Sequence, residues 1–133
     1  MEIKKYFVIG NPINHSLSPK LHNYWIKKNN IKAEYDKIKL ETNEIKNFIQ
    51  DIKSQKIVGC NVTVPFKKAV IPFLDKLSPE ADQTQSVNTI TFDKGILVGH
   101  NTDIFGFDLA IKSLKIDLKD KKILILGAGG VVP

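Results

Sequence analysis

The sequence contains no arginine, only one cysteine and no long hydrophobic run, and each shortage excludes a class of protein. All 20 basic residues are lysines scattered singly and in pairs, so the bidentate contacts that arginine makes to phosphates and guanine are missing. We therefore expect no nucleic-acid partner, despite a formal net charge of +6. The single cysteine, Cys60, cannot form an intrachain disulfide, and its apolar neighbours indicate a buried residue in a reducing compartment.

The apolar residues fall in short segments. The first of them, residues 6–9, is far too short for a signal peptide or a membrane span. A length of 133 residues with 42% hydrophobic and 26% charged residues is typical of one globular domain and leaves no room for a second complete one. We expect a cytoplasmic protein with no membrane partner.

Short β-rich segments alternate with amphipathic helical segments, which predicts an α/β sandwich with a mostly parallel sheet. The predicted strands are residues 5–9, 33–40, 59–64, 86–92, 96–98 and 121–126, of which 86–92 and 96–98 form a hairpin. Helices are predicted over 19–29, from 42 to about 52, over 79–84 and over about a dozen residues from 103. The predicted apolar helix faces are Leu21 and Trp25; Ile45, Phe48, Ile49 and Ile52; and Ile104, Phe107, Ile111 and Leu114.

The stretch 59–68 organises the rest of the chain. Alternation along its strand places Asn61 and Thr63 on one face. Pro65 ends the strand and suits the first turn of a short helix, which would carry Lys67 beside the strand end. Ligands of open α/β sheets bind at that edge, so this stretch is a candidate active site. The alternative is an Asn and a Thr satisfied by nearby backbone, with Lys67 in solvent.

Four further polar residues are candidates, and all of them except Ser16 have a ready structural explanation as well. Ser16 lies in a loop after the first strand, where functional residues concentrate. Ser18, followed by a proline, has the signature of a helix N-cap. Asn88 alternates with apolar residues and so needs buried partners, either a loop or a ligand hydroxyl. Asp103 either belongs to the site or only complements the dipole of the helix that it opens.

The predicted strand 121–126 leads into Gly127, Ala128, Gly129 and Gly130, as in the opening turn of a dinucleotide-binding unit. Such a unit needs about thirty residues, so we expect this sequence to be the front portion of a longer protein. The three histidines lack the paired spacing of a metal site, and we expect no metal.

Five motifs together resemble the shikimate dehydrogenase family, in its order and at its usual separations. They are NHSLSP at 14–19, NVTVPFK at 61–67, VNT at 87–89, NTD at 101–103 and GAGG at 127–130. The resemblance covers the whole chain. It implies the substrate-binding fold of that family, a three-layer α/β sandwich with a mostly parallel sheet.

The resemblance implies an NADP-dependent enzyme that reversibly reduces 3-dehydroshikimate to shikimate in the chorismate route to aromatic amino acids. It implies a shikimate-binding domain at 1–102, a connecting helix and linker at 103–120, and the start of a truncated Rossmann domain at 121–133. Lys67 and Asp103 would be the catalytic pair. The substrate would contact Ser16, Ser18, Asn61, Thr63, Lys67, Asn88, Thr102 and Asp103, and the cofactor Gly127, Ala128, Gly129 and Gly130.

Three alternatives stay open, two within this class of enzyme and one outside it. A quinate/shikimate dehydrogenase, or the dehydrogenase half of a bifunctional protein, would carry nearly the same motifs. A truncated, non-catalytic shikimate-binding module would also carry them, and the 133-residue chain is expected to be an inactive or partial fragment. Partners are expected to be small molecules, with the protein a monomer or homodimer.

Overall fold

A computed structural model describes residues 3–127 of the chain. Its strands are β1 (Lys4–Gly10), β2 (Ala33–Lys39), β3 (Gly59–Val62), β4 (Lys76–Leu77), β5 (Thr89–Asp93) and β6 (Ile96–His100). Its helices are α1 (Ser18–Lys28), α2 (Ile45–Lys53), α3 (Pro79–Thr84) and α4 (Asp103–Ser113), with short 3-10 helices at Thr42–Glu44 and Ile71–Phe73.

All six strands form one sheet, in the order β2-β1-β3-β5-β6-β4. The pairings of β1 with β2, β1 with β3 and β4 with β6 are parallel, whereas β5 pairs antiparallel with β3 and with β6. The predicted α/β fold with a mostly parallel sheet is confirmed. The two-residue strand β4 was not predicted, because its short sequence carries no alternating pattern of its own.

One face of the sheet is sealed by α2. Its four apolar residues Ile45, Phe48, Ile49 and Ile52 are all buried, as their helical spacing predicts. They pack in one core with Ile9, Val62 and Ile90 of the sheet. Burial of each such side chain contributes about 1.5 to 3 kcal/mol, so the four residues of α2 contribute strongly to stability.

The opposite face is covered by α1, which makes the third layer. Here the predicted contact residues are wrong, since Leu21 and Trp25 are each nearly half exposed and α1 buries no residue fully. The helix instead contacts the sheet through the positions one further along: His22 stacks on Tyr35, and Ile26 packs beside Val8. Asn23 anchors the same face by bonding to the backbone of Tyr35.

The start of α1 also differs from the prediction. Ser18 is the first helical residue and not the N-cap, a position that Leu17 holds without a side-chain cap. The Ser16 hydroxyl accepts a hydrogen bond from the Ser18 N–H at 3.3 Å and takes over part of the capping role. The second predicted cap is confirmed, because Ser78 accepts from the Ala81 N–H and α3 follows at once.

The predicted hairpin is confirmed, as β5 and β6 pair antiparallel. Lys94 and Gly95 both have positive φ, the backbone of a type I′ turn whose twist matches that of the strands. The predicted helix at Pro65 is wrong. Residues 64–70 form consecutive turns. The Phe66 N–H bonds to the Thr63 carbonyl, and the Val70 N–H bonds to the Phe66 carbonyl, which does not make the continuous ladder of a helix.

The last described residues also depart from expectation. Residues 121–127 form no strand, and Leu124 and Leu126 are more than 80% exposed. A parallel strand needs a neighbour to complete its hydrogen bonds, and within residues 3–127 nothing pairs with this segment. The predicted extent of α4 is confirmed, but its apolar side is not buried, with Phe107 two-thirds exposed. Within residues 3–127, no helix is long and apolar enough to cross a membrane.

Candidate functional site

The site is centred on an ion pair between Lys67 and Asp103. Lys67 lies in the turns that follow β3, and Asp103 is the first residue of α4. The Lys67 Nζ lies 2.6 Å from the Asp103 Oδ2, and the two side chains are 15% and 31% exposed. A carboxylate in the first helical turn also complements the helix dipole, so the structural explanation of Asp103 is compatible with a role in the site. The pair is enclosed enough to be aimed, yet a ligand can reach it.

Asn88 ties the carboxylate to the sheet. Its side chain is buried, and its Nδ2 donates to the Asp103 Oδ1 at 2.9 Å and to the Thr102 Oγ1 at 2.8 Å. Its Oδ1 accepts from the Thr102 N–H and the Thr89 hydroxyl, both at 3.1 Å. The prediction that Asn88 is buried with polar partners is confirmed. Both oxygens of Asp103 are therefore held before any ligand arrives.

Asn61 extends this arrangement along the sheet. Its Nδ2 donates to the Thr89 Oγ1 at 3.0 Å and to the Asn88 carbonyl at 3.3 Å, while its Oδ1 accepts from the Tyr35 hydroxyl at 2.7 Å. We refer to Asn61, Thr89, Asn88, Asp103 and Lys67 as the site network. Neither the backbone-only alternative for Asn61 nor the solvent alternative for Lys67 describes the structure, because side chains hold both residues.

The remaining polar candidates, Thr63, Ser16 and Ser18, follow the strands β3 and β1 and are not bonded to the site network within residues 3–127. Thr63 follows β3 directly, and its N–H donates to the Ile9 carbonyl at the end of β1. Gly10 permits this approach, since a Cβ there would lie 2.6 Å from the Thr63 methyl carbon. The hydroxyls of Thr63 and Ser18 have no hydrogen-bond partner among the described residues, and so both can bind a ligand.

Ser16 and Ser18 belong to the serine loop, which we define as residues 11–18. Backbone hydrogen bonds fix the loop. The Asn11 N–H donates to the Val64 carbonyl, and the Ser16 N–H donates to the Ile13 carbonyl, each at 3.0 Å. Lys37 of β2 donates to the Asn14 carbonyl. The loop therefore has a defined backbone, although its hydroxyls remain available.

Sequence reasoning missed Asn101 and Tyr35. Asn101 is buried, and its Oδ1 accepts from the Asp103 N–H at 2.9 Å while its Nδ2 donates to the Ser86 carbonyl at 2.9 Å. It thereby fixes the start of α4 and the backbone of Asp103. An asparagine just before a helix is a capping signal, and that signal could have identified Asn101. No short-range pattern points to Tyr35, because its partner is 26 residues away.

A cleft of about 520 Å³ opens between α1 and the sheet. Apolar and aromatic side chains such as Trp25, Ile26 and Phe92 line most of it, and neither Lys67 nor Asp103 does. It is distinct from the polar site at the strand ends, which it meets only at Asn61 and Thr89.

Of the predicted cofactor residues only Gly127 is described, with a φ of +115° that favours glycine. Ala128, Gly129 and Gly130 lie outside the described residues. Within residues 3–127, no three His, Cys, Asp or Glu side chains lie together in a way that could hold a metal ion.

The family described as the shikimate dehydrogenase substrate binding domain matches residues 8–90. A shikimate dehydrogenase (NADP(+)) of Pelagibacter ubique is 58% identical over 129 residues, which cover 97% of this chain and 49% of the relative. The chain spans about half the length of the curated relatives it matches.

Solved structures agree. Shikimate dehydrogenase 1 from Peptoclostridium difficile superposes with a TM-score of 0.90 at 36% identity, covering 97% of this chain and 49% of that one. The shikimate 5-dehydrogenase of Thermus thermophilus, solved in complex with shikimate, gives a TM-score of 0.88 at 34% identity with the same coverage, 97% and 49%.

Proposed function

This chain belongs to the family of shikimate dehydrogenase substrate-binding domains, and from that premise we propose that it supplies the substrate half of an NADP-dependent shikimate dehydrogenase. The reaction is the reversible reduction of 3-dehydroshikimate to shikimate, on the route to aromatic amino acids. The observation that carries the proposal is the Lys67–Asp103 pair at 2.6 Å, with Asp103 held a second time by Asn88.

The ion pair suits the reduction of a ketone. When hydride adds to the carbonyl carbon, the C=O electron pair moves to the oxygen and negative charge develops there. The Lys67 ammonium would donate a proton to that oxygen or stabilise the charge, and Asp103 would keep the ammonium aimed. In the reverse direction the neutral amine would take the proton from the alcohol. Lys67 and Asp103 are thus the proposed catalytic residues.

Substrate recognition would divide between the two groups of polar side chains. Ser16 and Ser18 would hold the carboxylate of shikimate, since hydroxyls can donate to it. Thr63 would contribute its hydroxyl, which has no partner in the described part of the chain, to the ring hydroxyls of the substrate. Such matched polar contacts discriminate strongly against a ligand that lacks one partner.

Within the site network, the proposed contacts are Asn61, Asn88, Thr102 and Asp103. The Nδ2 of Asn61 already donates twice, to Thr89 and to the Asn88 carbonyl. Among residues 3–127 its Oδ1 accepts only from Tyr35, which leaves it a second lone pair. Asn61 would therefore serve as an acceptor for a substrate hydroxyl. The acceptor role of Asn61 follows from the two bonds that its Nδ2 donates and the one bond that its Oδ1 accepts.

NADPH would supply the hydride, and the turn with Gly127, Ala128, Gly129 and Gly130 would hold its pyrophosphate. The φ of Gly127 fits a turn that brings backbone close to a ligand. We further propose the division into a substrate-binding domain at 1–102, a connecting segment at 103–120 and the beginning of a nucleotide-binding unit at 121–133.

The proposal is tested by a thermal-shift titration of the 133-residue chain with shikimate, with quinate and NADP+ in parallel. A ligand that binds only the folded state stabilises it by about 2.7 kcal/mol at a hundredfold excess over its Kd. We expect stabilisation by shikimate. A cooperative transition that shikimate does not move would contradict shikimate binding by this chain, and a larger shift with quinate would make quinate the better substrate.

A further inference from the structure

Tyr35 lies in the middle of β2, outside every motif that the sequence singles out, yet other side chains hold both its backbone and its ring. Its side chain is buried, with 5% exposure. Its N–H and carbonyl both bond to the Asn23 side chain, at 3.0 and 2.7 Å. The His22 ring stacks parallel on the Tyr35 ring at 4.1 Å between centroids. These contacts hold the Tyr35 hydroxyl in one position, 2.7 Å from the Asn61 Oδ1.

The direction of this hydrogen bond is settled by the other bonds of Asn61. A backbone carbonyl can only accept, so the group that faces the Asn88 carbonyl must be the Asn61 Nδ2. The Asn61 oxygen then faces Tyr35, and the tyrosine must donate. Burial raises the pKa of the Tyr35 hydroxyl, which keeps the donated proton in place at neutral pH.

The same reasoning continues through the site network. The Asn61 Nδ2 donates to the Thr89 Oγ1, and the Thr89 hydroxyl donates to the Asn88 Oδ1. That oxygen also accepts from the Thr102 N–H, so the Asn88 Nδ2 must point the other way, toward the Asp103 Oδ1. Every bond from Tyr35 onward donates toward the carboxylate, which also accepts from Lys67.

We propose that Tyr35 is a positioning residue for the site. Its hydroxyl acts with the Asn88 carbonyl to orient the Asn61 amide and, through Thr89, adds to the Thr102 N–H in orienting the Asn88 amide. The Asn61 oxygen is then directed toward the substrate and the Asn88 Nδ2 toward Asp103. The inference rests on the proposed function for its role in binding. The orientation of the amides does not depend on that function and can be measured without a ligand.

The test compares Tyr35→Phe with the unmodified 133-residue chain. Phenylalanine keeps the ring and its stacking on His22 but removes the donor. Tyr24→Phe is the matched control, because Tyr24 is an exposed tyrosine of α1 whose hydroxyl bonds to none of the site residues. The first readout is the side-chain amide signals of Asn61 and Asn88 in ¹⁵N NMR spectra of the ligand-free chain, with their rates of hydrogen exchange.

In Tyr35→Phe we expect the Asn61 amide signals to shift and to exchange at least about tenfold faster, with a smaller change at Asn88. We expect the Kd for shikimate to rise about 3- to 10-fold, as for the loss of one neutral hydrogen bond. Tyr24→Phe should change neither. Unchanged Asn61 and Asn88 signals in a folded Tyr35→Phe chain would overturn the proposal.

Two further results separate the possible failures. If the unmodified chain does not bind shikimate, the proposed function fails for this chain, while the amide signals still decide the role of Tyr35. If Tyr35→Phe does not fold, Thr89→Val interrupts the same sequence of bonds one step later. Asn88 signals that stay unchanged in Thr89→Val would then overturn the proposal, and a shift with faster exchange would support it.

Discussion

The site network and the serine loop solve the same problem, the placing of polar side chains at strand ends, in opposite ways. In the site network each side chain is held by another, and the amides of Asn61 and Asn88 have their donors fully used. In the serine loop the backbone is fixed, but the Ser18 hydroxyl and that of neighbouring Thr63 bond to nothing else within residues 3–127. The site network therefore suits a reaction that depends on the exact orientation of its side chains. The serine loop and Thr63, whose hydroxyls are available, suit the binding of an incoming ligand.

The largest effect is expected at Lys67, in a protein extended to the length of the curated relatives. Lys67→Ala removes the proposed proton donor and should lower kcat by about 10² to 10⁴, with KM changed only a few-fold. Steady-state kinetics would show this, and Lys68→Ala, at the exposed neighbouring lysine, is the control. Equal losses in binding and in turnover would mean that Lys67 contributes to substrate binding, as the serine loop does, and would contradict its catalytic role.

Asn88 tests whether the site network also stabilises the fold. Asn88→Ala leaves the Thr102 N–H and the Thr89 hydroxyl without their acceptor, so we expect a loss of about 2 to 3 kcal/mol in the free energy of unfolding. Urea unfolding of the 133-residue chain measures it. Asn43→Ala, at an exposed asparagine, should stay within about 0.5 kcal/mol of the unmodified chain. A similar loss in both variants would mean that the buried hydrogen bonds of Asn88 add no more to the free energy of unfolding than an exposed asparagine does.

The serine loop should behave in the opposite manner. Ser16→Ala removes a hydroxyl that would bind the substrate carboxylate, and we expect about tenfold weaker shikimate binding, as for a hydrogen bond to a charged group. Calorimetric titration measures the Kd, with Ser54→Ala, at the end of α2, as the control. An unchanged Kd would remove Ser16 from the site.

The smallest effect concerns His22, which supports the site network through its stack on Tyr35. Burial lowers the pKa of His22 below its ordinary value of 6.5. The unfolded chain therefore binds more protons just below pH 6.5, so stability should fall as the pH is lowered from 6.5 toward the folded pKa. Urea unfolding at pH 7.5 and 5.5 should show a smaller drop in His22→Phe than in His15→Phe. An equal fall in stability in the two variants would exclude His22 as the source of the pH dependence.

Much of this molecule follows from local patterns. The helical spacing of Ile45, Phe48, Ile49 and Ile52 predicts α2 and its buried face, and Asp93, Lys94 and Gly95 predict the hairpin turn. The isolated amide among apolar residues at Asn88 predicts buried polar partners. In each case the information lies within a few residues of the chain.

The errors arise where a distant partner decides the outcome. The face of α1 that touches the sheet is set by Asn23 bonding to the Tyr35 backbone, which no helical pattern announces. Residues 121–126 have the composition of a strand but no neighbour to pair with among the described residues. The link from Tyr35 to Asn61 joins two strands that are not adjacent in the sheet, and so only the assembled fold reveals it.

The β5–β6 hairpin has a consequence for the time course of folding. Its closure pairs Thr89 with His100 and thereby brings Asn88 to Asp103, only 15 residues apart, whereas Lys67 is 36 residues from Asp103. Hairpins close within about 1 to 10 μs, so we expect the carboxylate to reach its amide before the lysine arrives. Two successive amides report the two events, since the Asn88 N–H bonds to His100 and the Val87 N–H to Lys67. Pulse-labelled hydrogen exchange during refolding should protect Asn88 first.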